Sequence, residues 1–177
     1  MWKKFFLTLA CGVLLIGGCK KDENQNANAA AATTNGTAVS ESDKLPDFTL
    51  KSLTGDEVNL RQLEGQKVVV VNFWATWCGP CRHEIPDFND VYSRYRDRGV
   101  EFLGIAVDES PETVLPEFLQ DHPISYPILL GSPDLTFRYG VRGLPTTFII
   151  DRAGKITKRT IGAMSTQSLE TELDKLL

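Results

Sequence analysis

Apolar and polar positions divide the chain into three zones. Residues 5–16 are predominantly apolar, residues 20–44 hold Val39 as their only large apolar residue, and from residue 45 the apolar spacing alternates between strand and helix periods. Val68 to Val71, Asn72, Phe73 and Trp74 form a β-branched and aromatic run that reads as a strand buried on both faces. Residues 100–107 read as a second buried strand and residues 126–130 as a shorter one. Phe48-Thr49-Leu50 and Val58-Asn59-Leu60 flank Thr54-Gly55-Asp56, the pattern of a small hairpin. Residues 146–151 and 156–161 flank the turn Arg152-Ala153-Gly154-Lys155 as a second hairpin. Helical spacing follows Cys78 and recurs over 111–120, where Pro116 should kink the helix or end its first part, with a further helical turn around 134–139. Residues 165–177 close the chain as an amphipathic helix with Leu169, Leu173 and Leu176 on one face. A β-α-β order followed by a hairpin and a helix predicts one α/β domain over residues 45–177, long enough for a sizeable core.

The first two zones stand apart from that core. Lys3 and Lys4 precede an apolar stretch too short to span a bilayer but of the length of a signal-peptide core. It ends Ile16-Gly17-Gly18-Cys19, which resembles the lipobox of bacterial lipoproteins. That resemblance implies removal of residues 1–18 and acylation of Cys19, whose two or three acyl chains would anchor the protein stably to a membrane. A plain secretory signal cut nearby is the other reading. Residues 19–44 then form a lipidated tether, because Asn, Ala, Thr, Ser and charged residues cannot bury enough surface to offset ordering entropy. Asn, Thr and Gly36 interrupt the Ala-rich run that could otherwise be helical.

With 42% hydrophobic and 24% charged residues among 177, the composition is that of one globular domain plus an extra segment. A net charge of -4 gives no reason to expect nucleic acid. Loss of residues 1–18 takes Lys3 and Lys4, leaving 17 of the 19 basic residues against 23 acidic ones, a net charge of -6. Lipid rather than charge must then hold the protein to an anionic surface.

The chemistry lies in Trp77-Cys78-Gly79-Pro80-Cys81, where the long buried strand meets a helix. Of the four cysteines, Cys11 leaves with the leader and Cys19 becomes a thioether, so Cys78 and Cys81 remain as the only thiols. Residues three apart on a helix lie about 5 to 6 Å apart at Cβ, close to what a disulfide needs. Cys78 at the helix N-terminus faces unpaired N–H groups and the positive end of the dipole, which favour its thiolate and make it the attacking sulfur. Cys81, one turn in and shielded, is the resolving thiol. Pro80 costs little in a first turn that has no partner for its missing N–H.

Two other readings of the pair remain. Zinc needs two further Cys or His ligands, whereas the remaining candidates are His83, directed away from the apolar stripe of its helix, and His122. A structural disulfide suits an oxidising compartment, but a two-residue loop closes too little chain to stabilise much. Stepping at about 100° per residue, Cys81, Ile85, Phe88, Tyr92 and Tyr95 share one stripe, and Glu84 falls within its arc. Desolvation there would raise the Glu84 pKa toward neutrality and let it hold or pass the Cys81 proton. A Glu84 whose stem packs while its head reaches water is the alternative. Trp77, large and flat beside the nucleophile, is expected at the substrate rim.

Trp-Cys-Gly-Pro-Cys after a strand, with Gly140-Val141-Arg142-Gly143-Leu144-Pro145-Thr146 before the next hairpin, resembles the thioredoxin fold. The N-terminal hairpin, Glu84 followed by Pro86, and the extra strand and helix within residues 100–130 resemble the membrane-anchored TlpA/ResA-type thiol-disulfide oxidoreductases. The resemblance implies a central mixed β-sheet flanked by helices, with an N-terminal β-hairpin and a β/α insertion. It also implies a glutamate beside the dithiol at the offset of Glu84, and a cis Leu144-Pro145 bond that presents backbone to an extended substrate. The substrate surface is then Trp77, Gly79, Pro80, Leu144 and Pro145. Thioredoxin's buried aspartate aligns with Asn72 and its buried lysine with Gly104, so the usual proton relay is missing and Glu84 is expected to replace it.

The expected protein is a monomer in the bacterial cell envelope, lipid-anchored on the extracytoplasmic face, with no metal and no cofactor. It would reduce disulfides in exported proteins, for example in cytochrome c maturation, and be recharged by a membrane electron donor. An oxidase or isomerase is the first alternative. A copper-delivery module would resemble families with Cys-x-x-x-Cys and a distant histidine, whereas this chain has a shorter spacing and no His in residues 139–151, and a peroxidase would need a separate peroxidatic cysteine.

Overall fold

The computed structural model describes residues 44–177. The leader, Cys19 and nearly all of the expected tether lie outside the described residues.

Two short strands, β1 (Thr49–Lys51) and β2 (Glu57–Asn59), pair antiparallel as the first hairpin. The buried run is β3 (Val68–Trp74), the helix after the dithiol is α1 (Gly79–Tyr95), and the second buried run is β4 (Val100–Ala106). There follow α2 (Pro111–Asp121), β5 (Ile128–Leu130), α3 (Pro133–Arg138), the hairpin β6 (Thr146–Ile150) and β7 (Ile156–Ile161), and α4 (Thr166–Asp174). The main sheet has the order β5-β4-β3-β6-β7, with β3, β4 and β5 parallel and β6 and β7 added antiparallel. This is the mixed α/β architecture expected, and it puts β3 at the centre.

Central placement explains the composition of β3, all seven residues of which are buried. Alternate side chains enter different clusters, as the period of a strand requires. Val68 and Val70 pack with Phe88, Val91 and Tyr95 of α1 and with Leu169 and Leu173 of α4. Val69, Val71 and Phe73 pack instead with Phe48, Leu60, Leu115 and Leu135. Full burial of Leu169 and Leu173 contributes about 1.5–3 kcal/mol each.

Of the two outcomes expected at Pro116, an end to the helix does not occur: α2 runs from Pro111 to Asp121 with the proline inside it. The missing N–H of Pro116 frees the Glu112 carbonyl, and both residues lie on the exposed face, where water can satisfy that carbonyl. Pro86 is carried inside α1 in the same way, again on the exposed face. The closing helix is also shorter than its apolar pattern, ending at Asp174 with Leu176 half-buried beyond it.

Register decides what surrounds the site. Asn72 on β3 is opposite Gly104 on β4 and Thr147 on β6. A Cβ at Gly104 would lie 2.9 Å from the Tyr126 ring and 3.1 Å from Trp74 Nε1, so the glycine is what admits Tyr126. Where the thioredoxin-like pattern has lysine, this chain has a tyrosine ring packed into the space.

Candidate active site

β3 ends at Trp74, and the chain turns to start α1 with Cys78 as its N-cap. The Cys78 N–H donates to Ala75 O at 3.1 Å, and its carbonyl accepts from Arg82 N–H at 3.2 Å. Its sulfur accepts the Cys81 N–H at 3.3 Å, a bond that favours negative charge on Cys78. Cys78 and Cys81 form a disulfide with a Cα–Cα distance of 5.3 Å. Cys78 retains 5% of its surface exposed and Cys81 1%, so the residue at the helix start is the less buried of the pair. Gly79 and Pro80 complete that first turn, half-buried and exposed respectively.

Trp77 stands 69% exposed beside the pair. It lines a groove of about 770 Å³ together with Val107, Asp108, Val114, Val141 and Leu144. The Leu144–Pro145 bond is cis, Leu144 is half-buried and Pro145 buried. The Pro145 carbonyl accepts from Gly162 N–H at 2.8 Å, and Thr146 Oγ1 donates to Gly143 O at 2.6 Å. Trp77 and Leu144 thus line the same groove. The buried Pro145 follows Leu144 in the chain, and Gly79 and Pro80 follow Trp77 and Cys78.

Glu84, one turn beyond Cys81 on α1, is 4% exposed. Asn72 Nδ2 donates to its Oε1 at 2.9 Å, and the Met164 backbone N–H donates to its Oε2 at 3.2 Å. Asn72 also donates to Thr147 Oγ1 at 3.0 Å. Burial pushes the Glu84 carboxyl up from 4.5 to about 7; the two donors hold it down, and the neighbouring Asp87 charge adds to the rise. Such a group changes protonation in the range where thiols exchange. Tyr126, buried against Phe88, Tyr92 and Phe102, has its hydroxyl pushed up by burial and by the Glu84 charge.

Sequence reasoning missed three contributors. Met164 offers a backbone donor with no side-chain signal, and Tyr126 depends on the register of Gly104. Asp108, 4% exposed, accepts the Thr76 N–H at 3.2 Å on each oxygen and the Thr76 hydroxyl at 2.7 Å on Oδ1. Its only signal is that it ends a long apolar run. His83 and Arg142 are exposed, and His122 stacks on Phe118 at 4.6 Å. Among the described residues no group of three or more His, Cys, Asp or Glu side chains could hold a metal ion.

Comparison with known proteins agrees with this arrangement. The AhpC/TSA family model matches residues 42–159. The chain is 38% identical over 141 residues to the thiol-disulfide oxidoreductase ResA of Geobacillus thermodenitrificans, covering 79% of this chain and 80% of that one. It is 35% identical over 132 residues to ResA of Bacillus anthracis, covering 74% and 75%. A crystal structure of a thioredoxin-family thiol:disulfide interchange protein from Chlorobium tepidum matches with a TM-score of 0.67 and 31% identity, over 75% of this chain and 94% of that one. A DsbF homologue from Corynebacterium diphtheriae matches with a TM-score of 0.67 and 26% identity, over 75% and 86%. With the Cys78–Cys81 pair at the head of α1 and relatives of this kind over most of its length, the chain belongs to the AhpC/TSA thioredoxin-like family and is a ResA-type thiol-disulfide oxidoreductase.

Proposed function

We propose that this oxidoreductase works as a reductant of disulfides in exported proteins. Cys78 thiolate attacks one sulfur of the substrate disulfide, forming a mixed disulfide and releasing the first substrate thiolate, which takes up a proton. Cys81 then loses its proton to Glu84 and attacks the Cys78 sulfur. The Cys78–Cys81 disulfide forms, and the second substrate sulfur leaves as a thiolate. Two electrons pass to the substrate, and a membrane dithiol donor restores the pair.

The observation that carries this reading is the buried Glu84 carboxyl, held between Asn72 and Met164 and poised near pH 7. A group so placed can take the resolving thiol's proton without solvent access. The exposed Trp77 and the half-buried Leu144 line the groove in which an extended substrate segment lies, with Gly79 and Pro80 following Trp77 in the chain and the buried Pro145 fixing the Leu144 backbone. Apocytochrome c is one fitting client. The apolar leader and Cys19 support an extracytoplasmic site with a lipid anchor at the membrane.

A Cys81→Ser variant tests the order of attack. Cys78 should accumulate a mixed disulfide with a disulfide-bonded protein substrate, whereas Cys78→Ser should trap none. Equal trapping by both variants would overturn the assignment.

A further inference from the structure

We propose that Asp108 is a positioning residue of the dithiol, clamping the turn into Cys78 and holding an anionic charge that resists charge build-up on its sulfur. The parallel pairing of β3 and β4 ends with Trp74 opposite Ala106, and Val107 N–H continues it to Trp74 O at 2.9 Å. The next rung is made by a side chain. Asp108 takes the Thr76 N–H on both oxygens and the Thr76 hydroxyl on one, two residues ahead of Cys78. The turn is therefore gripped at Trp74, Thr76 and Cys78, the last through Ala75 O.

Stability alone does not explain a carboxylate there. Asp108 is 4% exposed, its hydrogen-bond partners are both atoms of Thr76, and no Lys, Arg or His pairs with it among the described residues. A buried anion without a cation is costly, and a neutral acceptor would hold Thr76 at lower cost. Asp108 also lines the groove shared by Trp77 and Leu144. Its charge opposes the Cys78 thiolate, which the Cys81 N–H favours, and leaves the neutral disulfide unaffected. Wherever Cys78 is ionised, the reduced pair is thereby made the less stable form, and its thiolate the more basic and more nucleophilic one. Electrons are driven toward the substrate.

This rests on the reading of Cys78 as the attacking sulfur of a reductant. The test is the equilibrium of the Cys78/Cys81 pair against glutathione in the full chain. It is read by alkylation and peptide mass spectrometry for wild type, Asp108→Asn and Thr76→Val, with the melting temperature of each oxidised form. At a pH where Cys78 is ionised in the reduced pair, Asp108→Asn should shift the equilibrium toward the reduced form by about tenfold, which is about 30 mV for a two-electron couple. Thr76→Val keeps the charge and one donor, so it should lower the melting temperature while leaving the equilibrium within about twofold of wild type. An Asp108→Asn equilibrium within that same range, with only stability lost, would overturn the proposal. Asp108→Ser carries the same test should the asparagine variant not fold. The wild-type constant alone tests the reducing direction and the variant ratio alone tests Asp108, so the two readings fail separately.

Discussion

Asn72 and Glu84, twelve residues apart, meet in the core through a 2.9 Å bond from Nδ2 to Oε1. The amide stands on the central strand and the acid on the helix that follows the cysteine pair. Removing the amide in Asn72→Ala withdraws one of two donors to Glu84 and leaves Thr147 Oγ1 without that partner. The Glu84 pKa should rise further above its value near 7, and stability should fall by about 1–3 kcal/mol. Carboxyl-carbon NMR titration reads the first and denaturant unfolding the second; an unmoved Glu84 titration would contradict the bond's role.

Glu84 also gives stability a pH dependence of definite sign. Its folded pKa is raised, so between pH 4.5 and about 7 the folded state keeps a proton that the unfolded chain has lost. Its contribution therefore falls as pH rises through that window and is flat above it, a total of about 3 kcal/mol. Glu84→Gln should abolish that slope and slow the resolving step near neutral pH. A variant with the wild-type slope would place the titration elsewhere.

These elements differ in how legible they were. β3, β4 and the dithiol helix follow from local patterns, and stepping around α1 was enough to put Glu84 on the buried side, because helical phase is a property of neighbours. Its donors were not legible: one lies 12 residues before it and the other, a backbone N–H, 80 residues after. The same holds for Asp108, whose partner is 32 residues away. That α2 continues past Pro116 was not legible for a different reason: the carbonyl the proline frees lies on the exposed face of the helix, where water can satisfy it.

Gly104→Ala tests the packing that replaces thioredoxin's lysine. The new methyl would meet the Tyr126 ring at 2.9 Å and the Trp74 indole at 3.1 Å, both within the core. A loss of about 1–3 kcal/mol is expected in denaturant unfolding. A variant as stable as wild type would mean that Tyr126 yields freely and does not seal the Glu84 side of the sheet.

Trp77 is exposed and free of core duties, so Trp77→Ala should leave stability within about 0.5 kcal/mol. If it forms the substrate rim, KM for a protein disulfide should rise several-fold, while the rate with a small disulfide such as oxidised glutathione changes little. Equal effects on both substrates would instead place Trp77 in tuning Cys78.

The reducing direction is tested most directly by the reduction potential of the Cys78/Cys81 pair in the wild-type chain at pH 7, equilibrated against dithiothreitol and glutathione. A value at or below that of thioredoxin, about -270 mV, is expected. A value near that of DsbA, about -120 mV, would make the protein an oxidant and contradict the proposed function, leaving the fold and the dithiol as described.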